Sequence, residues 1–414
     1  MRLTLLSVGS TGDVRPYTLL GRELQSRGHH VTVAAFSRFR DMVESAGLAF
    51  RPLSGSVETM MASIMSPDTS GVTYLPRLWR GVKDAAPQMI QDMTDACRGA
   101  DAMVCNFFGS VYYSIAEKFD IPCIQIHLFP MDPTGDVPIS SIRHMRLGPV
   151  MNKATYKIGY LAIGTVEKRI LRSWRLDNGL TDRKPATRPD YRIGSHIVPV
   201  IYAVSPTLFP RPADWDDHVH MSGFFFDESP ADYHPSPELA AFLAAGEKPV
   251  YIGFGSMNSG DMNRLLSIML RSIHAAGVRA VFSTGWTGKS LKSTRTVFFT
   301  DEIPHDWLFP RVSAVVHHGG AGTTAAGLLY GKPTLIIPFA GDQAFWGYQV
   351  RRAGCGPKPL PRDDLSVRKV TRALLDLKSN SLYYESAARM RDRLSAEHGV
   401  RAAADLIEKE VTCW

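Results

Sequence analysis

The chain has no apolar run approaching the roughly 18 residues that a bilayer-crossing helix requires, so no spanning segment is expected. It has no C-x-x-C pair. Its five cysteines (Cys97, Cys105, Cys123, Cys355, Cys413) are odd in number and widely spaced, which disfavours a disulfide framework or a zinc site and suits a reducing, cytoplasmic setting. The opening MRLTLLSVGSTGDV carries one Arg and lacks both a long apolar core and a small-residue cleavage site. It is expected to be a buried first strand, not a signal peptide. A dinucleotide fingerprint is missing as well. Gly253-x-Gly255 is followed by Asn258 and Gly320-x-Gly322 by Ala325 where the third glycine of G-x-G-x-x-G would stand. Gly9-Ser10-Thr11-Gly12-Asp13 fails too, and a Walker A pattern with its lysine is absent, so dehydrogenase and NTPase chemistry recede. Asp214-Trp215-Asp216 is formally a D-x-D. It lies far from the glycine-rich motifs and is read as coincidental, so no metal is expected.

What is present is an ordinary folded composition, 44% hydrophobic and 21% charged over 414 residues, a length that suits two or three domains. The net charge of +7 is concentrated: residues 143–192 hold twelve Lys/Arg against four acids. No nucleic-acid-binding motif accompanies this segment, so nucleic acid is not an expected partner. A solvated helical face or peripheral contact with an anionic membrane surface fits it instead.

Short apolar runs alternate with helical patterns through both halves of the chain. RLTLLSV (2–8), HVTVAAF (30–36), DAMVCNF (101–107), PCIQIHLF (122–129) and HIVPVIYAVSP (196–206) read as strands of the first half. PVYIGFGS (249–256), RAVFSTG (279–285), TVFFT (296–300), SAVVHHGG (313–320) and PTLIIPF (333–339) repeat the pattern. Continuously apolar strands separated by helices imply parallel sheets covered on both faces, and right-handed crossovers then give α/β doubly wound domains. The Pro-, Asp- and aromatic-rich stretch around 210–236 reads as a linker. The expected division is 1–212, a linker at 213–236, 237–385, and a helical tail at 386–414 that folds back on the first domain.

The densest chemical motif is His317-His318-Gly319-Gly320-Ala321-Gly322-Thr323-Thr324, which follows a strand and opens a small-residue helix. Glycines let backbone approach a ligand closely. The unpaired N–H groups of a helix start, with about half a positive charge from the dipole, suit a diphosphate. His318 adds a hydrogen-bond donor able to become cationic.

HHGGAGTTAAGLLYGKPTLIIPFAGDQAFWG (317–347) resembles the donor-binding signature of GT-B nucleotide-sugar glycosyltransferases, within them the sterol glucosyltransferase-like and bacterial natural-product branch. Ser10-Thr11-Gly12-Asp13-Val14-Arg15-Pro16 resembles the S/T-x-G-D-V-x-P turn of that branch, and Gly255-Ser256-Met257, Gly285-Trp286 and Ile303–Leu308 its remaining donor-side loops. The resemblance implies two Rossmann-like domains facing each other across a cleft, the acceptor in the first and the donor in the second. It implies that Ser256 and His318 contact the diphosphate, with the Gly320, Ala321, Gly322 and Thr323 backbone at the phosphates. Trp286, Ile303 and His305 would line the base and ribose pocket. Asp342 and Gln343 would bind sugar hydroxyls, and Ser10, Thr11 and Gly12 would form the acceptor-side loop. The implied reaction is inverting hexose transfer from a UDP-sugar to a hydroxyl of a lipophilic small molecule, with no cofactor beyond the co-substrate. One departure is visible: plant relatives carry a ribose-binding Glu at the position of Ala326, so ribose recognition must come from elsewhere.

Asp13, opening the first helix, is the candidate base, and a helix N-terminus is expected to keep it ionised and weakly basic. His127 is a second candidate, whereas His29 and His30 are read as structural. The aromatic and Met-rich stretches MMASIM (60–65), NFFGSVYYS (106–114) and HLFPMDP suit an apolar acceptor pocket or core packing. A UDP-sugar epimerase of the same fold, or a non-catalytic sugar-nucleotide-binding protein, would share the donor motif.

Overall fold

In a computed structural model of the chain, the described residues are 1–56, 84–106, 109–140, 147–181, 191–227, 233–255, 262–284, 291–301 and 303–414. Two parallel sheets organise them. The first contains β1 (Arg2–Leu6), β2 (His30–Phe36), β3 (Ala49–Leu53), β4 (Ala102–Cys105) and β5 (Cys123–His127). After a small hairpin, β6 (Arg192–Ile193) and β7 (His196–Ile197), come β8 (Val200–Tyr202) and β9 (Val219–Met221). Their order is β3-β2-β1-β4-β5-β8-β9. β4 and β5 are buried at every position, as continuous apolar runs require when helices cover both faces.

The second sheet contains β10 (Val250–Gly253), β11 (Ala280–Ser283), β12 (Val297–Thr300), β13 (Ala314–His317) and β14 (Thr334–Ile336), ordered β12-β11-β10-β13-β14. Both sheets reverse direction next to their first strand. β1 lies between β2 and β4, and β10 between β11 and β13. Open α/β sheets bind ligands at the carboxyl ends of the strands flanking such a reversal. That rule selects the loops after β1 and β4 in the first sheet, and those after β10 and β13 in the second.

The first helix runs Thr11–Ser26 and so opens in the S-T-G-D motif. Three local expectations change. β3 was not expected: AFRPL is half exposed and contains Pro52, which an edge strand tolerates because one side of its backbone needs no partner. Val219–Met221, inside the segment read as linker, is the outer strand β9 of the first sheet. Residue 386, expected to open the tail, falls within the single helix Ser381–Leu394.

A shared apolar cluster joins the halves. Phe209 packs edge-on against Phe345 (centroids 5.3 Å apart), and Phe224 lies 5.7 Å from the fully buried Trp346. The terminal helix, Gly399–Thr412, packs on the first helix and sends Ala403, Ala404 and Ile407 into the core around β1 and β2. Arg27 pairs with Asp405 and Glu408, and His29 with Glu408. Such partly exposed pairs contribute about 0–1 kcal/mol. Burying one Ile contributes about 1.5–3 kcal/mol, so the apolar contacts hold this helix down. Where the chain crosses back, Gly399 meets the outgoing segment backbone to backbone. A Cβ on Gly399 would lie 2.3 Å from the Phe224 carbonyl oxygen.

Candidate active site

At the first reversal, β1 ends and the chain turns through Gly9, whose φ of +153° and lack of Cβ are both needed, because a Cβ there would lie 2.2 Å from Asp13 Oδ2. Ser10 caps the first helix. Its backbone N–H (2.6 Å) and hydroxyl (3.0 Å) both donate to Asp13 Oδ2, while Ser7 Oγ donates to the Asp13 carbonyl at 3.0 Å. Oδ1 has no hydrogen bond from the described residues. Burial raises the Asp13 pKa and outweighs the two Ser10 bonds. The expectation of a weakly basic helix-start carboxylate is therefore corrected: desolvation wins over the dipole and the cap, and Asp13 is a stronger base than an ordinary Asp.

The loop after β4 supports this turn. Asn106 Nδ2 donates to the Val8 carbonyl at 2.8 Å, and Tyr112 donates to Asn106 Oδ1 at 2.7 Å. This role of Asn106 was not foreseen, since only the sheet order brings β4 beside β1. Tyr112 and Tyr113, considered for an apolar pocket, are buried in the core. His127 is buried and stacked on Tyr202, and burial lowers its pKa to about 3, which makes it a weaker base than an ordinary His.

At the second reversal, Gly253 and His317 are register partners on β10 and β13. The His318 ring follows, wedged between glycines: a Cβ on Gly320 would lie 2.6 Å from its Nε2, and one on Gly255 3.1 Å from its Cε1. Its Nδ1 is buried without a hydrogen-bond partner. Burial lowers the His318 pKa to about 4, so the expected readily cationic imidazole is instead neutral at pH 7. The helix Ala321–Leu329 begins beside it. Gly320 provides no side-chain cap, and helix geometry leaves the N–H groups of Ala321, Gly322 and Thr323 without intrahelical acceptors. A Cβ on Gly322 would meet nothing within 4 Å, so the space beside this first turn is open.

Asp342 and Gln343 open the next helix, Gln343–Arg352. Trp346 Nε1 donates to Asp342 Oδ2 at 2.6 Å. Gln343 Oε1 accepts from the Phe339 and Ala340 N–H groups at 2.7 and 3.1 Å, so the oxygen expected to serve a sugar is committed to the backbone. Burial, reinforced by the negative charge of Asp13, raises Asp342 to about 7. The two carboxylates, one from each sheet, thus lie close enough to feel each other.

His305 stacks on Phe309 (4.4 Å, 16°), with Tyr251 Oη 3.4 Å from its Nε2. Burial first, and then the nearby Arg15, lowers its pKa to about 4. Arg15, two residues beyond Asp13, therefore also faces the second sheet; nothing in the sequence placed it there. Ile303 is buried in the apolar cluster with Tyr251 and Phe309. Ser256, Trp286 and the 60–65 Met cluster lie outside the described residues. Asp214 accepts from the Gly135 N–H at 2.9 Å and pairs with Lys153 at 2.8 Å, a structural use of the D-x-D carboxylate.

Two parallel-sheet halves with facing carboxyl edges, a carboxylate on one and an uncapped helix start on the other, define the GT-B architecture of nucleotide-sugar glycosyltransferases. The Glycosyltransferase family 28 N-terminal domain matches residues 3–130, and the erythromycin biosynthesis protein CIII-like C-terminal domain matches residues 291–408. A solved glycosyltransferase of kitacinnamycin superposes with a TM-score of 0.72 at 20% identity, covering 99% of both chains. Two sterol 3-beta-glucosyltransferases of Arabidopsis thaliana are 34% and 32% identical over 97% and 99% of this chain. The chain spans 65% and 68% of those relatives' lengths. It belongs to the sterol glucosyltransferase-like branch of the GT-B glycosyltransferases.

Proposed function

We propose that the protein transfers glucose, with inversion, from UDP-glucose to a hydroxyl of a lipophilic acceptor such as a sterol, triterpenoid, polyketide or phenolic. What carries this reading is Asp13 at the carboxyl edge of the first sheet, near enough to Asp342 to raise its pKa, together with His318 and the Ala321–Thr323 helix start at the carboxyl edge of the second. The acceptor oxygen attacks the anomeric carbon as its proton passes to Asp13 Oδ1, the oxygen not used by Ser10. The bond from the anomeric carbon to the phosphate oxygen breaks, and UDP leaves with that electron pair. Its charge falls on three backbone N–H groups, the helix dipole and the His318 ring. Asp342 holds a sugar hydroxyl near Asp13, which keeps the anomeric carbon within reach of the base. Donor identity rests on the relatives, because Ala326 offers no ribose contact.

Incubating the protein with UDP-glucose and a panel of sterols and phenolics is expected to yield hexose adducts together with UDP, read by mass spectrometry. UDP-glucose consumed with no adduct on any acceptor, or an epimer formed without UDP, would overturn the reading. We further infer that no divalent cation takes part, since protein groups already meet the leaving-group charge. EDTA is expected to leave the rate within about twofold, and a large loss restored by Mg²⁺ or Mn²⁺ would refute this.

A further inference from the structure

The helix Pro149–Asp177 is buried along one side and bare along the other. Asn152, Tyr156, Leu171 and Arg175 face the protein, whereas Val150 (80% exposed), Met151 (54%), Ile158 (72%) and Leu161 (48%) face outward. Met151, Ile158 and Leu161 fall on one stripe of the helix. Of the nine large apolar side chains exposed among the described residues, five lie on this helix, counting Leu176. Exposed apolar residues scattered singly carry no meaning, but a contiguous group does. Lys157 is exposed on the same part of the helix, as is Lys153, which pairs with Asp214 (2.8 Å), and the sequence from 149 to 166 contains no acid.

The position of this face matters as much as its composition. Asn152 Nδ2 donates to the Gly135 carbonyl (2.7 Å), Tyr160 to the Met131 carbonyl (3.0 Å), and the Ile139 N–H to Thr155 Oγ1 (2.9 Å). Residues 131–139 follow the carboxyl end of β5, the edge of the sheet that carries Asp13. The bare face therefore belongs to the acceptor side of the molecule.

We propose that this face docks on an anionic lipid bilayer, with Val150, Met151, Ile158 and Leu161 entering the interface and Lys157 meeting lipid headgroups. No helix among the described residues is long and apolar enough to cross a membrane, so this one lies in the interfacial plane. An apolar stripe edged by lysines is the composition such helices use. A second copy of the chain is a poorer occupant, because a twofold-symmetric contact would set this basic face against an identical basic face. The biological sense rests on the lipophilic acceptor proposed above, but vesicle binding is measured without turnover, so the two readings fail separately.

The full chain is tested by co-sedimentation with phosphatidylcholine vesicles, pure or mixed with phosphatidylglycerol. It is expected to pellet with the mixed vesicles, less so at high salt, and to stay in solution with pure phosphatidylcholine. Lys157→Glu should weaken binding about fivefold or more. Ile158→Glu combined with Leu161→Glu should abolish it, and the milder Ile158→Ser should weaken it, while transfer to a detergent-dispersed acceptor stays unchanged. Wild-type protein that ignores the mixed vesicles, or variants that pellet as it does, would overturn the proposal. So would a wild-type dimer in light scattering that Ile158→Glu converts to monomer, which would assign the face to a second copy.

Discussion

Asp13→Asn is expected to lower kcat by about a thousandfold, near the middle of the range that general-base removal produces, while UDP-glucose still binds. Asn is the informative replacement because its side-chain oxygen can keep accepting from the Ser10 N–H and hydroxyl that now bond Oδ2. The helix start therefore survives, whereas replacement by Ala would remove the Asp13 half of the capping box and blur the result. Only the proton acceptor is lost. The pH profile supplies a second readout. A base must be deprotonated to act, so the wild-type rate should fall as pH drops through the Asp13 pKa, which burial places above the usual 3.8. That limb should disappear in the Asn variant. Turnover close to wild type, with the acid limb intact, would leave Asp13 as a cap and nothing more.

His318→Ala is expected to weaken UDP binding by roughly ten- to a hundredfold, corresponding to the loss of about 1.5–3 kcal/mol from a hydrogen bond to a charged group. The ring is held neutral by burial and one of its nitrogens has no partner, so it already bears the desolvation cost that a bound diphosphate would repay. Titration calorimetry with UDP measures the change. Glycines on both sides of the ring leave little room for a larger side chain, so Ala empties the site without crowding the backbone. Unaltered UDP affinity would place the diphosphate elsewhere and remove the central premise of the donor assignment.

The strands and the donor loop were legible because they depend on local pattern. AMVC is apolar throughout and AVVH up to its final His317, and a run of glycines after a strand has few other uses. AFRPL and VHM were not legible as strands, because an edge strand is half solvated and may carry proline or histidine without penalty. The site was legible in its members but not in their states. The neutral His318 and the strengthened base at Asp13 follow from burial by segments remote in sequence, and from sheet orders that set β1 beside β4 and β10 beside β13, whereas Gln343 is turned inward by the Phe339 and Ala340 N–H groups of its own loop. The opposition of Asp13 and Asp342 belongs to the same class, since each sits at the edge of a different sheet.

The close backbone approach at Gly399 bears on how the cleft can move. The polypeptide passes between the halves once at Phe224 and again at Gly399, and these passages touch. A body strapped to its neighbour at two adjoining points can rotate about the line through them but cannot slide or drift away. Opening and closing should therefore resemble the leaf of a door, with the donor and acceptor rims farthest from the pivot travelling most. Any side chain at 399 would push the paired straps apart and shift that pivot.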